Sequence, residues 1–186
     1  AKKIARSISA FANNSGGRLL VGVKDNGHIA GVKSDEEIYM IEQAATMYCR
    51  PEQQMNFQLF KVEGKNVLLA EVAEAQVKPV QAPDENGHWK VYYRVADENV
   101  LASGVHVKAL KHKNCDEDGA LLNFSEKERE LLEYLDLHGG ITLSGFSKLA
   151  HISRFAAEDA IVKLLEMNVI PLNYHNGTCL ITKSNK

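Results

Sequence analysis

The sequence predicts an α+β chain of two small domains, and three observations carry that reading. Helical and strand-like spacing alternate through residues 1–112, two of the three Asn-Gly dipeptides (Asn26-Gly27 and Asn176-Gly177) are read as turns between strand-like runs, and the charged run 111–119 has no apolar period. The first domain is therefore drawn over 1–112 as an α/β sandwich with a mixed sheet, 113–122 as a linker, and 123–186 as a second domain. With 186 residues, 45% hydrophobic and 25% charged, the chain is globular rather than disordered. No apolar run approaches the roughly 20 residues of a membrane span, and no signal-peptide order of segments opens the chain. Cys49, Cys115 and Cys179 are odd in number and widely spaced, which suits a reducing cytoplasm and offers no zinc or disulfide framework. The chain begins on alanine rather than methionine, as a piece of a longer protein would.

Taken in order, Ile4, Ile8, Phe11 and Ala12 recur at helical spacing until Asn13-Asn14-Ser15-Gly16-Gly17, where glycine ends the helix. Residues 18–24 read as a buried strand, Asp25-Asn26-Gly27-His28 as a tight hairpin, and 29–32 as the returning strand. Ser34 ahead of Asp35, Glu36 and Glu37 caps a helix carrying Ile38, Ile41, Ala45 and Tyr48, which stops at Pro51. Runs 57–62 and 66–72 form a second hairpin around Gly64, and 91–95 is a further strand.

Ala10-Phe11-Ala12-Asn13, Gly16-Gly17, the run 20–27 and Gly31-Val32 resemble the helix, Gly-Gly, strand and hairpin blocks of bacterial Schlafen-type AlbA domains. Residues 62–68, Lys78-Pro79-Val80 and Tyr92-Tyr93-Arg94-Val95 are similar to that family's later blocks, in the same order. The resemblance implies an Alba-like sandwich, described either as a DNA-binding domain or as a divergent ATP-binding domain, often fused to a helix-turn-helix in transcriptional regulators. A P-loop is absent: Asn13–Gly17 ends a helix instead of opening one, so the helix dipole would present the wrong sign to phosphate. In the Schlafen proteins that cut RNA, the resemblance implies two glutamates upstream of the first helix and an aspartate on the hairpin. Asp25 matches the aspartate, but Ala1-Lys2-Lys3-Ile4-Ala5-Arg6 offers no glutamates; they either precede Ala1 or are lacking. One carboxylate does not hold a catalytic metal. No metal, cofactor or catalytic residue is therefore assigned, and a metal-dependent nuclease or ATP-binding protein is the alternative function.

In the second domain Ser125-Glu126-Lys127-Glu128 is a capping box opening a helix with Leu131, Leu132 and Leu135. After Gly139-Gly140 come a short strand and a cap in 141–144, a short helix marked by Phe146 and Leu149, and a third helix after Ile152-Ser153 with Ala157, Ile161, Leu164 and Leu165 inward. Asn168 takes a left-handed position, and 169–174 with 178–182 flank the Asn176-Gly177 turn. Helix, strand, helix, helix, hairpin is the order of a winged helix-turn-helix, with His151 where the interhelical turn commonly has glycine.

The net charge of −2 excludes indiscriminate coating of nucleic acid: residues 1–112 hold 14 Lys/Arg against 13 Asp/Glu, and 125–186 hold 7 against 8. Contact with DNA must come from local cations. The candidates are Lys2, Lys3, Arg6, Arg18 and Lys24 in the first domain and Arg154, Lys163 and Lys148 in the second. On the third helix Arg154, Phe155, Glu158, Asp159, Val162 and Lys163 read as outward, and the two acids would be repelled by a phosphate backbone. The expectation is a cytoplasmic, homodimeric DNA-binding regulator without enzymatic activity, whose winged helix also suits a protein partner.

Overall fold

The helix read at the start of the chain, α1 (Lys2–Asn13), is the centre of the first unit in the computed structural model, which describes residues 1–32, 35–112, 124–175 and 178–183. The chain divides into two compact units, Ala1–Ala102 and Ser103–Lys186. In the first, α1 is followed by β1 (Gly17–Val21), α2 (Asp35–Met47), β2 (Met55–Val62), β3 (Lys65–Val72), β4 (Gln81–Pro83), β5 (Trp89–Val95) and β6 (Glu98–Leu101). The strands make two three-stranded sheets, ordered β1-β3-β2 and β4-β5-β6. Every named pairing is antiparallel, so the expected mixed sheet is corrected. Short hairpin links such as β2 to β3 cannot make the crossover a parallel pair requires. The core gathers Ala5, Ile8 and Ala12 of α1, Ile41, Ala44 and Ala45 of α2, Leu68, Ala70 and Val72 of β3, and Val80 and Ala82.

Two local expectations change. The run 18–24 is not one buried strand: β1 alternates in exposure, with Arg18 and Leu20 outward, and stops at Val21 because Gly22 turns to φ +92°. Beyond it only the bridge Val23↔Ile29 remains of the returning strand. The turn is a three-residue loop, with Gly27 N–H donating to Lys24 C=O (2.8 Å) and Lys24 N–H to His28 C=O (3.0 Å). The second hairpin turns on Glu63 and Gly64, at φ 52° and 76°, with Val62 opposite Lys65. The Ser34 cap lies outside the described residues, as do the run 113–123 and the Asn176-Gly177 turn.

The second unit contains α3 (Gly104–His112), α4 (Glu126–His138), β7 (Gly140–Ile141), α5 (Leu143–Leu149), α6 (Arg154–Glu166), β8 (Leu172–His175) and β9 (Thr178–Thr182), with sheet order β7-β9-β8. The capping box forms as read: Ser125 Oγ accepts from Glu128 N–H, and Glu128 Oε2 accepts from Ser125 N–H at 2.7 Å. Thr142 caps α5 and Ser153 caps α6. Asn168 is left-handed at φ 53°, and so is His151 in the turn between α5 and α6. Leu131, Leu135, Phe146, Ala157, Ile161, Leu164 and Ile181 fill the core, joined by Val105 and Ala109 of α3. That helix was not read from the sequence, and it moves the division of the chain to Ala102/Ser103, ahead of the charged run.

Burial also sets an alkaline limit. Cys49 is buried, with its Sγ 3.6 Å from the Ala5 carbonyl oxygen, and desolvation pushes its thiol up to about 12. Burial likewise raises Tyr92, Tyr93, Tyr174 and Cys179. Between the ordinary thiol value of about 9 and about 12, the unfolded chain loses the Cys49 proton while the folded chain keeps it, so stability falls as pH rises through that window. Urea midpoints measured at about pH 8 and about pH 10.5 should drop at the higher pH. Equal midpoints would show that the buried groups ionise without resisting.

Candidate nucleic-acid interface

The candidate cations of the first unit separate into exposed and engaged. Lys2 and Lys3 are exposed on the first turn of α1, which has no acidic residue and no side-chain cap. Lys24 is exposed beside the hairpin loop. Arg6, in contrast, donates from Nε to the Pro83 carbonyl at 3.1 Å, lies 3.6 Å from Glu85 Oε1, and stands 6.0 Å from the Tyr92 ring centre. Arg18 pairs with its cross-strand neighbour Glu71 at 2.9 Å. Arg94 bonds Asn99 at 2.8 Å and stands 5.2 Å from the Phe11 ring centre. Lys3, Arg6, Ser7, Tyr92, Glu98 and Asn99 line a cavity of about 470 Å³, whose mixed charge suits a polar ligand better than a bare polyanion.

Asp25 is exposed in the hairpin loop, and among the described residues no three His, Cys, Asp or Glu side chains are grouped to hold a metal ion. After α1 the chain enters β1 directly, so Gly16-Gly17 opens no helix toward a phosphate.

Beneath this surface the motif residues of α1 do structural work that sequence reading missed. Asn13 is buried; its Nδ2 donates to the Val80 and Tyr92 carbonyls, both at 2.8 Å, and its Oδ1 accepts from Val80 N–H at 2.7 Å. Ser9 Oγ donates to the Val80 carbonyl at 2.8 Å. One helix turn thus supplies the hydrogen bonds that hold the segment before β4 and the middle of β5. Gly16 has φ +78° and receives no side chain without collision, since a Cβ there would lie 2.6 Å from the Val72 carbonyl oxygen. A Cβ on Gly17 would lie 2.3 Å from the Phe11 ring. The Phe, Asn and Gly-Gly spacing is therefore one packing unit.

That unit belongs to a known lineage, for a Schlafen AlbA_2 family model matches residues 1–103. The chain belongs to the Schlafen AlbA_2 family. The Schlafen AlbA_2 match ends at Ser103, one residue past the end of the first compact unit. Among solved structures, the DIP2311 protein of Corynebacterium diphtheriae is 25% identical, with a TM-score of 0.46 over 60% of this chain. The match covers 19% of that chain, so the present chain spans about a fifth of its length. No curated protein matches.

C-terminal to the Schlafen AlbA_2 segment, the second unit distributes its candidates differently from the expectation. Arg154 is exposed at the first position of α6, and Lys148 is exposed in the last turn of α5. Lys163 pairs at 3.1 Å with Glu128, whose side chain is almost fully buried, and so ties α6 to α4. Val162 is corrected from outward to buried, at 2% exposure. The cause is α3: Val105 and Ala109 share the core with Val162, Lys108 is ion-paired with Asp159 and stands 4.6 Å from the Phe155 ring centre, and Gly104 lies against Glu158. The stripe Phe155, Glu158, Asp159, Val162 has the i, i+3, i+4, i+7 spacing of one helix face, and α3 lies along it. Ser103 Oγ caps α3 by accepting from His106 N–H at 3.2 Å. Tyr174 of β8 fixes the same end, its hydroxyl accepting from Ser103 N–H at 3.0 Å and lying 2.8 Å from His106 Nδ1. Among the described residues no helix is long and apolar enough to cross a membrane.

Proposed function

We propose that this chain is a DNA-binding transcriptional regulator, without catalysis as it stands, in which an Alba-like first unit is joined to a winged helix-turn-helix and two copies act together. The observation that carries the reading is the second unit's order α4, β7, α5, α6, β8, β9 with sheet order β7-β9-β8, directly after a Schlafen AlbA_2 domain. A two-helix motif followed by a hairpin suits entry of one helix into the major groove. The exposed cations Lys148 and Arg154 are the contacts in this unit, and Lys2, Lys3 and Lys24 those in the first. Lys163 acts through α4 and not through phosphate. Because α3 lies on the acidic stripe of α6, groove entry by that stripe requires α3 to move aside, and the contact begins at the α6 N-terminus. The same coverage favours a second reading, in which the exposed ring of Phe155 beside α3 docks a protein partner.

Binding of duplex DNA, titrated by fluorescence anisotropy at several salt concentrations, tests the proposal. Arg154→Ala should weaken binding by about 1–3 kcal/mol and relax base preference, while Lys148→Ala should reduce the salt slope by about 1. Lys163→Ala should leave binding unchanged and lower stability. The DNA should remain intact in magnesium or manganese. Duplex affinity untouched by Arg154→Ala, Lys148→Ala and a Lys2/Lys3/Lys24 triple alanine variant would overturn the DNA reading, and cleavage lost in Asp25→Ala would overturn the non-catalytic one.

A further inference from the structure

Strand β2 lies at the edge of the β1-β3-β2 sheet and, Lys61 apart, carries none of the features that keep an edge from pairing. It is eight residues long, Met55-Asn56-Phe57-Gln58-Leu59-Phe60-Lys61-Val62, with no proline or glycine and a single charge. Its register with β3 runs unbroken from Met55↔Val72 to Val62↔Lys65, so no bulge twists it away. Leu59 is 58% exposed and Phe60 45%, and successive residues face opposite sides of the strand, so both sides of the edge are apolar. The apolar surface continues onto α2, where Tyr39 is 61% and Met47 64% exposed around a cavity of about 500 Å³ reaching Met55 and Phe57.

The hairpin geometry says which backbone groups are open. The two-residue turn Glu63-Gly64 makes Val62 and Lys65 a hydrogen-bonded pair, and the alternation continues down the strand. Phe60, Gln58 and Asn56 therefore face β3 with their N–H and C=O groups, while Lys61, Leu59, Phe57 and Met55 direct theirs outward. We propose that β2 is the surface through which two copies of this chain pair, antiparallel and edge to edge, with the two-fold axis at Gln58. The proposal rests on the dimeric regulator described above and names its interface. In this register Met55 bonds Lys61 of the second copy and Phe57 bonds Leu59, so all outward groups of the strand are used. The sole charge of each strand, Lys61, then faces neutral Met55, and no like charges oppose one another. A two-fold interface requires a self-complementary surface, and this strand supplies one in both its hydrogen bonds and its charge.

Gln58 is the position opposite itself, in a non-hydrogen-bonded pair where Cα atoms of paired strands approach to about 4.5 Å. Mild oxidation of Gln58→Cys should therefore give a disulfide-linked dimer. Asn56→Cys, which faces Phe60, should not, and the parent chain controls for Cys49, Cys115 and Cys179. Light scattering at tens of micromolar should give twice the chain mass for the parent, and half that value for Leu59→Lys, whose exposed side chain leaves the fold intact by far-ultraviolet circular dichroism. A parent that is monomeric, or whose β2 captures an extended peptide in place of a second copy, overturns the proposal. A dimer that survives Leu59→Lys, with no Gln58→Cys cross-link, places the interface elsewhere and overturns it too. DNA affinity of the monomeric variant is a separate readout: if binding per chain persists, the DNA reading stands whatever the fate of the pairing.

Discussion

Asn13→Ala should lower the unfolding free energy of the first unit by about 3 kcal/mol or more, a large share of the roughly 5–15 kcal/mol available to a small domain. The side chain is buried and makes three bonds of 2.7 to 2.8 Å to the backbone of Val80 and Tyr92. Alanine deprives Val80 N–H of this acceptor and the Tyr92 carbonyl of this donor at a position that is 1% exposed. The cost is then set by desolvated, unpaired backbone groups and not by the modest net value of a solvent-exposed hydrogen bond. Asn13→Asp should be no milder, because it loses the Nδ2 donor and buries a charge. Ser9→Ala, which loses the bond to a Val80 carbonyl that Asn13 still serves, should cost about 1 kcal/mol. Urea denaturation followed by circular dichroism measures the series; an Asn13→Ala loss no greater than that of Ser9→Ala would show that the bridge contributes little.

Gly16→Ala should cost about 3 kcal/mol, and Gly27→Ala only about 1 kcal/mol, although both positions have φ near +78°. The conformational term is common to the two. What differs is space: a Cβ on Gly16 would lie 2.6 Å from the Val72 carbonyl oxygen and 3.1 Å from Glu74 N, both backbone atoms of the neighbouring chain segment, whereas nothing lies within 4 Å of a Cβ on Gly27. The difference between the two midpoints isolates the close approach of the α1–β1 link to the end of β3. Equal losses at both sites would mean that the link shifts to admit a methyl group.

What was legible in the sequence was local. The capping box at Ser125, the left-handed Asn168, the hairpin around Gly64 and the helical faces of α1, α4 and α6 each announce themselves within about ten residues, because backbone geometry and side-chain period are set by near neighbours. The first unit's likeness to AlbA domains was legible too, as ordered blocks of residues. What escaped was long-range. Asn13 looked like a helix stop, since nothing nearby says that Val80 and Tyr92 will face it. Val162 read as outward because α6 viewed alone has an acidic side, and only the docking of α3 buries that side. The signal for α3 was present in Ser103, a capping residue ahead of Val105 and Ala109, but Gly104 at its start and a length of nine residues made it weak. The engagement of Arg6 with Pro83 and of Lys163 with Glu128 escaped as well, because those partners lie far along the chain.

The placement of α3 decides how the two halves can be separated for independent work. A fragment ending at His112 would keep that helix without the core that receives Val105 and Ala109, presenting an apolar stripe to solvent and inviting aggregation. A fragment starting at Phe124 would uncover Val162 and leave Asp159 without Lys108, so its surface would carry a more apolar and more acidic face than the one α3 leaves in the intact chain. Affinities measured on either piece would report that artificial surface. Cutting between Ala102 and Ser103 keeps each hydrophobic core with its own helices and makes the behaviour of the isolated halves comparable with that of the whole.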